Sequence, residues 1–338
     1  MKKLYLKDIA QNLGLSKTTV SFVLNGKGDE NKININTQNK VLEYANKHNY
    51  KPNQLARGLS RGKTETIGLI IPNISDTFYA KIAGSIEKRA KEFGYTVVFS
   101  SSNENAADEE KLIQSMLNRQ VDGLIIASTQ QNQKDIELLI KMNFPFILID
   151  RHYPEIETNY VLVDNFGSVK KATEHLLNLG RRKIGFISLK SDLEALKQRL
   201  LGYQEALVEN NIKTSYIKEL GTDTYKEEMK KAVSELIKFP NTVDAIVFST
   251  HYLTALGVRE LKNNNIKIPS EVAIVSFDEL SAFDLVDPPI TSLIQPVNKI
   301  GDAAVEILLK DIENKKCSVD KKVILETGFM IRKSCGTV

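Results

Sequence analysis

The chain has 338 residues, of which 42% are apolar and 26% charged, and its net charge is +4. These values are typical of a soluble globular protein with two or three domains. They exclude a membrane protein, because no apolar run approaches the roughly 18–20 residues of a spanning helix and charges interrupt residues 1–8 before a signal-peptide core could form. With only Cys317 and Cys335, we expect no disulfide framework, no metal site, no other cofactor and a cytoplasmic location.

The positive charge is concentrated at the beginning of the chain. Residues 1–63 hold 12 Lys or Arg against 4 Asp or Glu, and the remaining residues hold 34 against 38. A basic module on a mildly acidic body indicates an anionic partner, of which nucleic acid is the commonest. A solvated, lysine-rich surface would give the same balance, so charge alone does not decide.

The residues within this basic segment predict a helix-turn-helix. In LKDIAQNLGLSKTTVSFVLNG (6–26), Gly14 supplies a left-handed turn between two short helices and Ser16 caps the second. A third helix is expected from Thr37 to residues 49–50. The side chains expected in the core of the three helices are Ile9, Ala10, Leu13, Leu15, Val20, Val23, Val41, Leu42 and Ala45.

Beyond residue 66 the pattern alternates between strands and helices. Strand-like runs occur at residues 67–71, 96–100, 123–127, 146–150, 160–163, 183–189, 245–249 and 272–277, with amphipathic stretches of helical length between most of them. Apolar strands covered by helices indicate parallel sheets, which bind ligands at the carboxyl ends of their strands.

Four motifs together resemble the lactose-repressor (LacI-type) family of bacterial transcriptional regulators. They are KDIA (7–10), TVS-x-VLN (19–25), YKPNQLARGL (50–59) and TIGLIIP (66–72). The likeness extends over the whole chain. It implies a homodimer or a dimer of dimers, of which the dimer is expected, that binds a pseudo-palindromic operator in DNA. Its hold on that operator would change when a small-molecule effector, expected to be a sugar, enters the core.

The resemblance also implies the fold and the domain boundaries. An all-α helix-turn-helix head (1–50) and a hinge helix with linker (51–65) would join an α/β core (66–338) of two doubly wound parallel-sheet lobes, similar to periplasmic sugar-binding proteins. The first lobe would comprise about 66–164 and 297–325, and the second about 165–296 and 326–338.

The matching positions of the head and hinge are the expected DNA contacts. They are Ser16, Lys17, Thr18, Thr19, Ser21, Phe22, Asn25, Asn53, Ala56, Arg57 and Leu59. In the family the hinge helix inserts a leucine into the minor groove, and Leu59 has that position here. Such a wedge kinks the duplex.

The resemblance, together with polar residues that follow the strands, predicts the effector contacts. They are Phe78, Tyr79, Asp150, Arg151, Asp164, Arg199, His251 and Asp278. A guanidinium with five donors and an acceptor-only carboxylate suit a sugar diol, so Arg199 and Asp278 are the central pair. Other roles stay open for three residues: Asp164 as a helix cap, Phe78 as a core side chain, and Arg151 as the partner in a surface ion pair.

Two departures from the family pattern affect specificity. His251 and Tyr252 stand where relatives commonly have Asn-Asp, which leaves the effector undetermined. Phe22 replaces the arginine usual between Ser21 and Val23, so no operator sequence can be transferred.

Two other functions are alternatives to DNA-binding regulation: an enzyme and a sugar-binding protein. The sequence lacks the motifs expected of an enzyme: it has no nucleophile elbow, no GxGxxG after the first strand and no histidine triad. Gly58 and Gly62 are one residue too close for a phosphate-binding loop. A sugar-binding protein without DNA function would share the core fold, but it would not need the basic helix-turn-helix segment.

The residue Phe22 generates a prediction about base reading. If its ring faces DNA, it can contact the thymine methyl group, and operators selected from a random library should be enriched in T·A at the corresponding position of two inverted half-sites. Phe22→Arg should then move the preference to G·C, with a change of about 1–3 kcal/mol in discrimination. An unchanged preference in the variant would show that Phe22 packs into the core of the head.

Overall fold

A computed structural model describes residues 4–50, 63–238, 242–314, 317 and 319–337. The chain divides into two compact units, Met1–Glu65 and Thr66–Val338. Four of the expected DNA contacts, Asn53, Ala56, Arg57 and Leu59, lie outside the described residues.

The first unit consists of three helices around a small core. Their bounds are α1 (Leu6–Leu13), α2 (Lys17–Leu24) and α3 (Ile35–Lys47). Gly14 has φ +64° between α1 and α2, a conformation that glycine adopts without steric cost. The Ser16 hydroxyl accepts a hydrogen bond from the Thr19 N–H at 3.0 Å and so caps α2, as predicted.

The prediction that Leu42 lies in the core of this unit was wrong. Leu42 is 43% exposed, whereas Val41 and Ala45 are buried on the inner side of α3. Val41 and Ala45 are four residues apart and share one face of the helix, and Leu42 is rotated about 100° away from Val41.

The second unit contains two sheets of strands flanked by helices. The strands are β1 (Thr66–Ile71), β2 (Thr96–Ser101), β3 (Gly123–Ile126), β4 (Phe146–Ile149), β5 (Tyr160–Val163), β6 (Ile184–Leu189), β7 (Tyr216–Leu220), β8 (Ala245–Phe248), β9 (Ala273–Phe277), β10 (Thr291–Ile294), β11 (Lys322–Leu325) and β12 (Gly328–Met330). The helices are α4 (Thr77–Glu92), α5 (Ala106–Asn118), α6 (Gln133–Lys141), α7 (Asn165–Asn178), α8 (Glu194–Glu209), α9 (Tyr225–Ile237), α10 (His251–Asn263) and α11 (Val297–Asn314).

The sheets define two lobes. The first sheet has the order β11-β5-β4-β3-β1-β2 with parallel pairing throughout, and the second has the order β12-β10-β9-β8-β6-β7, in which only β12 pairs antiparallel. The chain passes from the first sheet to the second after β5, returns after β10, and crosses again between β11 and β12. Three chain crossings therefore join the lobes.

Central strands are buried along their whole length, which explains why their sequences read as continuous apolar runs. All four residues of both β4 and β8 are buried. The sequence pattern missed β7, β10, β11 and β12. β7, β11 and β12 are edge strands with exposed residues, and β10 begins with Thr291 and Ser292, whose polar side chains are buried and hydrogen-bonded.

The packing of α8 against α7 generates a prediction about stability. A Cβ added at Gly202 would lie 2.2 Å from the carbonyl oxygen of Phe166 and 3.1 Å from the backbone nitrogen of Lys170. Because both neighbours are backbone atoms, Gly202→Ala should force the helices apart and destabilise the protein by roughly 1–3 kcal/mol or more in denaturant unfolding.

Gly84 is the matched control, since it also lies inside a helix and a Cβ there meets no described atom within 4 Å. Gly84→Ala should stabilise the protein by about 0.5–1 kcal/mol through helix propensity. Equal effects of the two substitutions would contradict the close approach of α7 and α8.

Candidate effector cleft and recognition helix

A cleft of about 670 Å³ lies between the two lobes, at the carboxyl ends of strands from both sheets. Loops after β1, β2, β3 and β4 form the wall contributed by the first lobe, and loops after β6, β7, β8 and β9 form the opposite wall. This is the edge at which parallel sheets bind ligands.

Asp150 is the buried carboxylate of the first-lobe wall. It follows β4 with φ +63°, and Tyr79 donates its hydroxyl to Asp150 Oδ2 at 2.7 Å. Burial raises the pKa of Asp150 above its ordinary value, and nearby Arg151 and the Tyr79 hydrogen bond offset part of that rise. Burial also raises the pKa of Tyr79 well above its ordinary value, so the phenol is a donor at neutral pH.

Arg151 is held beside Asp150 by a two-pronged ion pair. Its Nη1 and Nη2 each donate to an oxygen of Glu104 at 2.7 Å, and Nη1 also donates to the Ser128 carbonyl at 3.2 Å. The Arg151 side chain is buried and lies on the cleft wall, and its ion-pair partner Glu104 is 52% exposed.

Arg199 is the buried cation of the second-lobe wall, with only 5% of its surface exposed. Its Nε donates to Asn165 Oδ1 at 2.8 Å, its Nη1 donates to the Ser249 carbonyl at 2.7 Å, and its Cζ lies 3.5 Å from the centre of the Phe277 ring. Burial lowers the pKa of Arg199, and Asp278 and Asp150 oppose that shift. Within the described residues Nη2 has no hydrogen-bond partner and remains available to a ligand.

Asp278 and His251 complete the second-lobe wall. Asp278 has φ +66°, and its Oδ1 accepts a hydrogen bond from Gln295 Nε2 at 2.7 Å. His251 lies between two carboxylates: its Nδ1 is 3.8 Å from Asp278 Oδ2, and its Nε2 is 3.8 Å from Asp76 Oδ2 in the first lobe. Buried His251 Nδ1 and Gln295 Oε1 have no hydrogen-bond partner in the described part of the chain.

The structure brings seven of the eight expected effector contacts together on the cleft walls. They are Phe78, Tyr79, Asp150, Arg151, Arg199, His251 and Asp278. Phe78 is half-buried, with its ring centre 5.1 Å from that of Tyr79.

Asp164 is not brought to the cleft. Its Oδ1 accepts a hydrogen bond from the Gly167 N–H at 2.8 Å, and the residue caps α7. This is the helix-cap role that the sequence left open for Asp164, because a short acidic side chain also satisfies a free N–H at a helix start.

Sequence reasoning missed several residues of the cleft walls. They include Asp76, Glu104, Tyr225 and Gln295. The rule that ligands bind at carboxyl strand ends would have selected Glu104 after β2. Tyr225 begins the helix after β7, a strand that the pattern did not reveal.

Helix α2, the second helix of the predicted helix-turn-helix, presents a polar first turn. Lys17 and Thr18 are exposed, whereas Ser16 and Thr19 are engaged in the helix cap, with their hydroxyl oxygens 2.8 Å apart. Asn25 donates to the Ser21 carbonyl at 2.8 Å.

Phe22 is half-buried on α2. Among the described residues of the first unit, the partly buried side chains that pack against the core are Leu4, Leu6, Leu13, Leu15, Leu24, Ile33, Tyr44 and Tyr50. Phe22 is not one of them, which favours a ring directed away from that core.

None of the helices in the described part of the chain combines the length and apolar character needed to cross a membrane. No group of three His, Cys, Asp or Glu side chains with metal-binding geometry occurs within residues 4–50, 63–238, 242–314, 317 and 319–337.

Both units match family models that are named for the LacI family. Residues 5–53 match the model described as bacterial regulatory proteins, lacI family, and residues 64–333 match the model described as periplasmic binding proteins and sugar binding domain of the LacI family. The chain is 32% identical over 321 residues to catabolite control protein A of Priestia megaterium, with 94% of each chain covered.

A second relative and a solved structure extend this comparison. The chain is 29% identical over 310 residues to the ribose operon repressor of Halalkalibacterium halodurans, covering 92% of this chain and 91% of that one. The lac repressor dimer bound to operator and the anti-inducer ONPF has the same fold, with a TM-score of 0.86 at 21% identity over 99% of each chain. The predicted fold class is confirmed.

The buried carboxylate Asp150 generates a prediction about pH. Because its pKa is higher in the folded protein than in the unfolded chain, the folded state binds the proton more tightly, and stability falls as pH rises through the window between the two pKa values. Asp150→Asn removes this cost, since asparagine can still accept from Tyr79 and tolerates positive φ. The unfolding midpoint of the ligand-free variant should rise by about 2 °C or more at pH 7.5.

Lowering the pH below the unfolded pKa of Asp150 should abolish this gain. Asp302→Asn, at an exposed position of α11, is the control and should leave the midpoint unchanged. A midpoint that falls at pH 7.5 in Asp150→Asn would show that the charged carboxylate stabilises the ligand-free fold.

Proposed function

Because the chain belongs to the LacI family of bacterial regulatory proteins and is a DNA-binding transcriptional regulator, we propose that it represses transcription under the control of a sugar bound in the cleft. Residues 1–50 form the DNA-binding head in this proposal, 51–65 the hinge, and 66–338 the effector-binding core. The protein acts in the cytoplasm, where its operator is accessible, and has no catalytic role.

The main support for a sugar effector is the pair of opposed cleft walls, with Arg199 on one wall and Asp150 on the other. Arg199 offers an unpaired donor, Asp278 offers a carboxylate oxygen, and both are buried where hydrogen bonds are strong. Sugars present adjacent hydroxyls that both donate and accept, so they fit alternating guanidinium and carboxylate groups. One relative is named a ribose operon repressor, and that name supports both a sugar effector and a role as a repressor.

DNA binding is proposed to involve the first turn of α2 and the hinge. Lys17 and Thr18 are exposed where a recognition helix reads base edges, and Ser16, Thr19, Ser21, Phe22 and Asn25 lie along the same helix. A homodimer would place two such helices on the inverted half-sites of a pseudo-palindromic operator. Light scattering coupled to size exclusion would test the dimer.

The alternative is a sugar-binding protein without DNA function. The match of residues 5–53 to a regulatory family argues against it, as does the excess of basic residues in the first 63. A mobility-shift assay of the full chain with genomic fragments separates the two functions, because only the regulator retards specific fragments.

The central prediction concerns Arg199. Arg199→Ala leaves ligand acceptors and the Asp278 carboxylate without their charged partner, so sugar binding measured by calorimetry should weaken by roughly 2–5 kcal/mol. Operator affinity measured by fluorescence anisotropy without sugar should stay within about twofold of wild type, since Arg199 lies in the core.

Two control variants accompany this experiment. Arg199→Lys keeps the charge but loses the forked donors and should recover only part of the sugar affinity. Arg119→Ala removes an exposed arginine at the end of α5 and should leave sugar binding unchanged. A normal sugar response in Arg199→Ala would refute the cleft assignment.

A further inference from the structure

The cleft walls carry an excess of negative charge. The carboxylates on them are Asp76, Glu104, Asp150, Asp223 and Asp278. Among the described residues that line the cleft, the only guanidinium or ammonium groups are those of Arg151 and Arg199. A protonated His251 would reduce this excess but not remove it.

One of these two cations is already neutralised by the protein. Both terminal nitrogens of Arg151 donate to Glu104 at 2.7 Å, and its Nε lies 3.5 Å from Asp150. Only Arg199 remains to face an anionic group of a ligand, and it is itself near Asp150 and Asp278, which oppose the lowering of its pKa.

Apart from Arg199 Nη2, the unsatisfied atoms of the described cleft residues include acceptors suited to neutral or positively charged groups. Buried His251 and Gln295 are 6% and 5% exposed, and His251 Nδ1 and Gln295 Oε1 have no partner within the described chain. Asp278 Oδ2 and Asp76 Oδ2 face His251 from opposite lobes at 3.8 Å. Hydroxyl and ammonium groups can donate to these oxygens, whereas a dianionic phosphate has no proton to donate and would bring further negative charge.

Resting on the proposed sugar-binding function, we propose that the effector is an uncharged or amine-bearing sugar and not a sugar phosphate or sugar acid. An anionic group in this cleft would be surrounded by carboxylates that outnumber the available cations. Its repulsion by Asp150 and Asp278 is weakly screened, because these two carboxylates are buried, whereas Glu104 and Asp223 are exposed. An ammonium group would instead reduce the excess charge.

Matched sugars that differ only in charge test this proposal. The full chain is screened by thermal shift with glucose, galactose, mannose and cellobiose, with the amino, 6-phosphate and uronic acid forms of the three monosaccharides, and with inorganic phosphate alone. Each sugar that raises the midpoint is then measured by calorimetry at two salt concentrations.

We expect a neutral or amino sugar to bind, and its phosphate or acid form to bind at least about tenfold more weakly. Tighter binding of any phosphate or acid form than of its parent sugar would overturn the charge inference while leaving the sugar-controlled function intact. If no sugar in the panel binds, the proposed sugar effector itself is contradicted.

Asp76→Asn and Asp302→Asn separate local charge from overall charge. Both remove one negative charge, but Asp76 faces the cleft and Asp302 lies on the exposed side of α11. Asparagine at position 76 keeps the helix cap that Asp76 provides to the Phe78 N–H. The discrimination against the phosphate form should fall at least about threefold in Asp76→Asn only, and equal effects in both variants would contradict the proposal.

Discussion

The buried guanidinium of Arg199 is the interaction on which the architecture of the cleft depends. A cation removed from water is costly unless hydrogen bonds and opposite charges surround it. Asn165, Ser249 and the Phe277 ring meet that requirement from α7, from the end of β8 and from β9. The strands must therefore end in register around one point, and the acidic residues of both lobes face it.

This arrangement connects ligand binding with the relative position of the lobes. Asp76 belongs to the first lobe, His251 and Asp278 belong to the second, and the gaps of 3.8 Å on both sides of the imidazole are too long for direct hydrogen bonds. A ligand that donates to groups on both walls stabilises whichever lobe arrangement brings them close together. Ligands shift such equilibria only through contacts that differ between the states.

Much of the fold could be predicted from the sequence pattern. Where the prediction failed, the failure has a physical reason. Apolar runs such as residues 146–149 identify central strands, because these strands are buried on both faces. β7 has mixed polarity because it is an edge strand, and it was not recognised. Arg199 has no distinctive local signal, since its partners Asn165 and Ser249 are distant in sequence, and only the resemblance to a family indicated it. In the sequence, an acidic residue that caps a helix cannot be told from one that contacts a ligand. The structure shows that Asp164 caps α7.

Regulation by a sugar requires coupling between the cleft and DNA, and thermodynamic reciprocity provides the most direct test of that coupling. If the sugar alters operator affinity by some factor, operator DNA must alter sugar affinity by the same factor. The sugar dissociation constant should be measured by calorimetry on the full chain with and without saturating operator, alongside the operator dissociation constant with and without saturating sugar. We expect both ratios to be equal and at least about fivefold. A sugar affinity that is the same with and without operator would contradict regulation through the cleft.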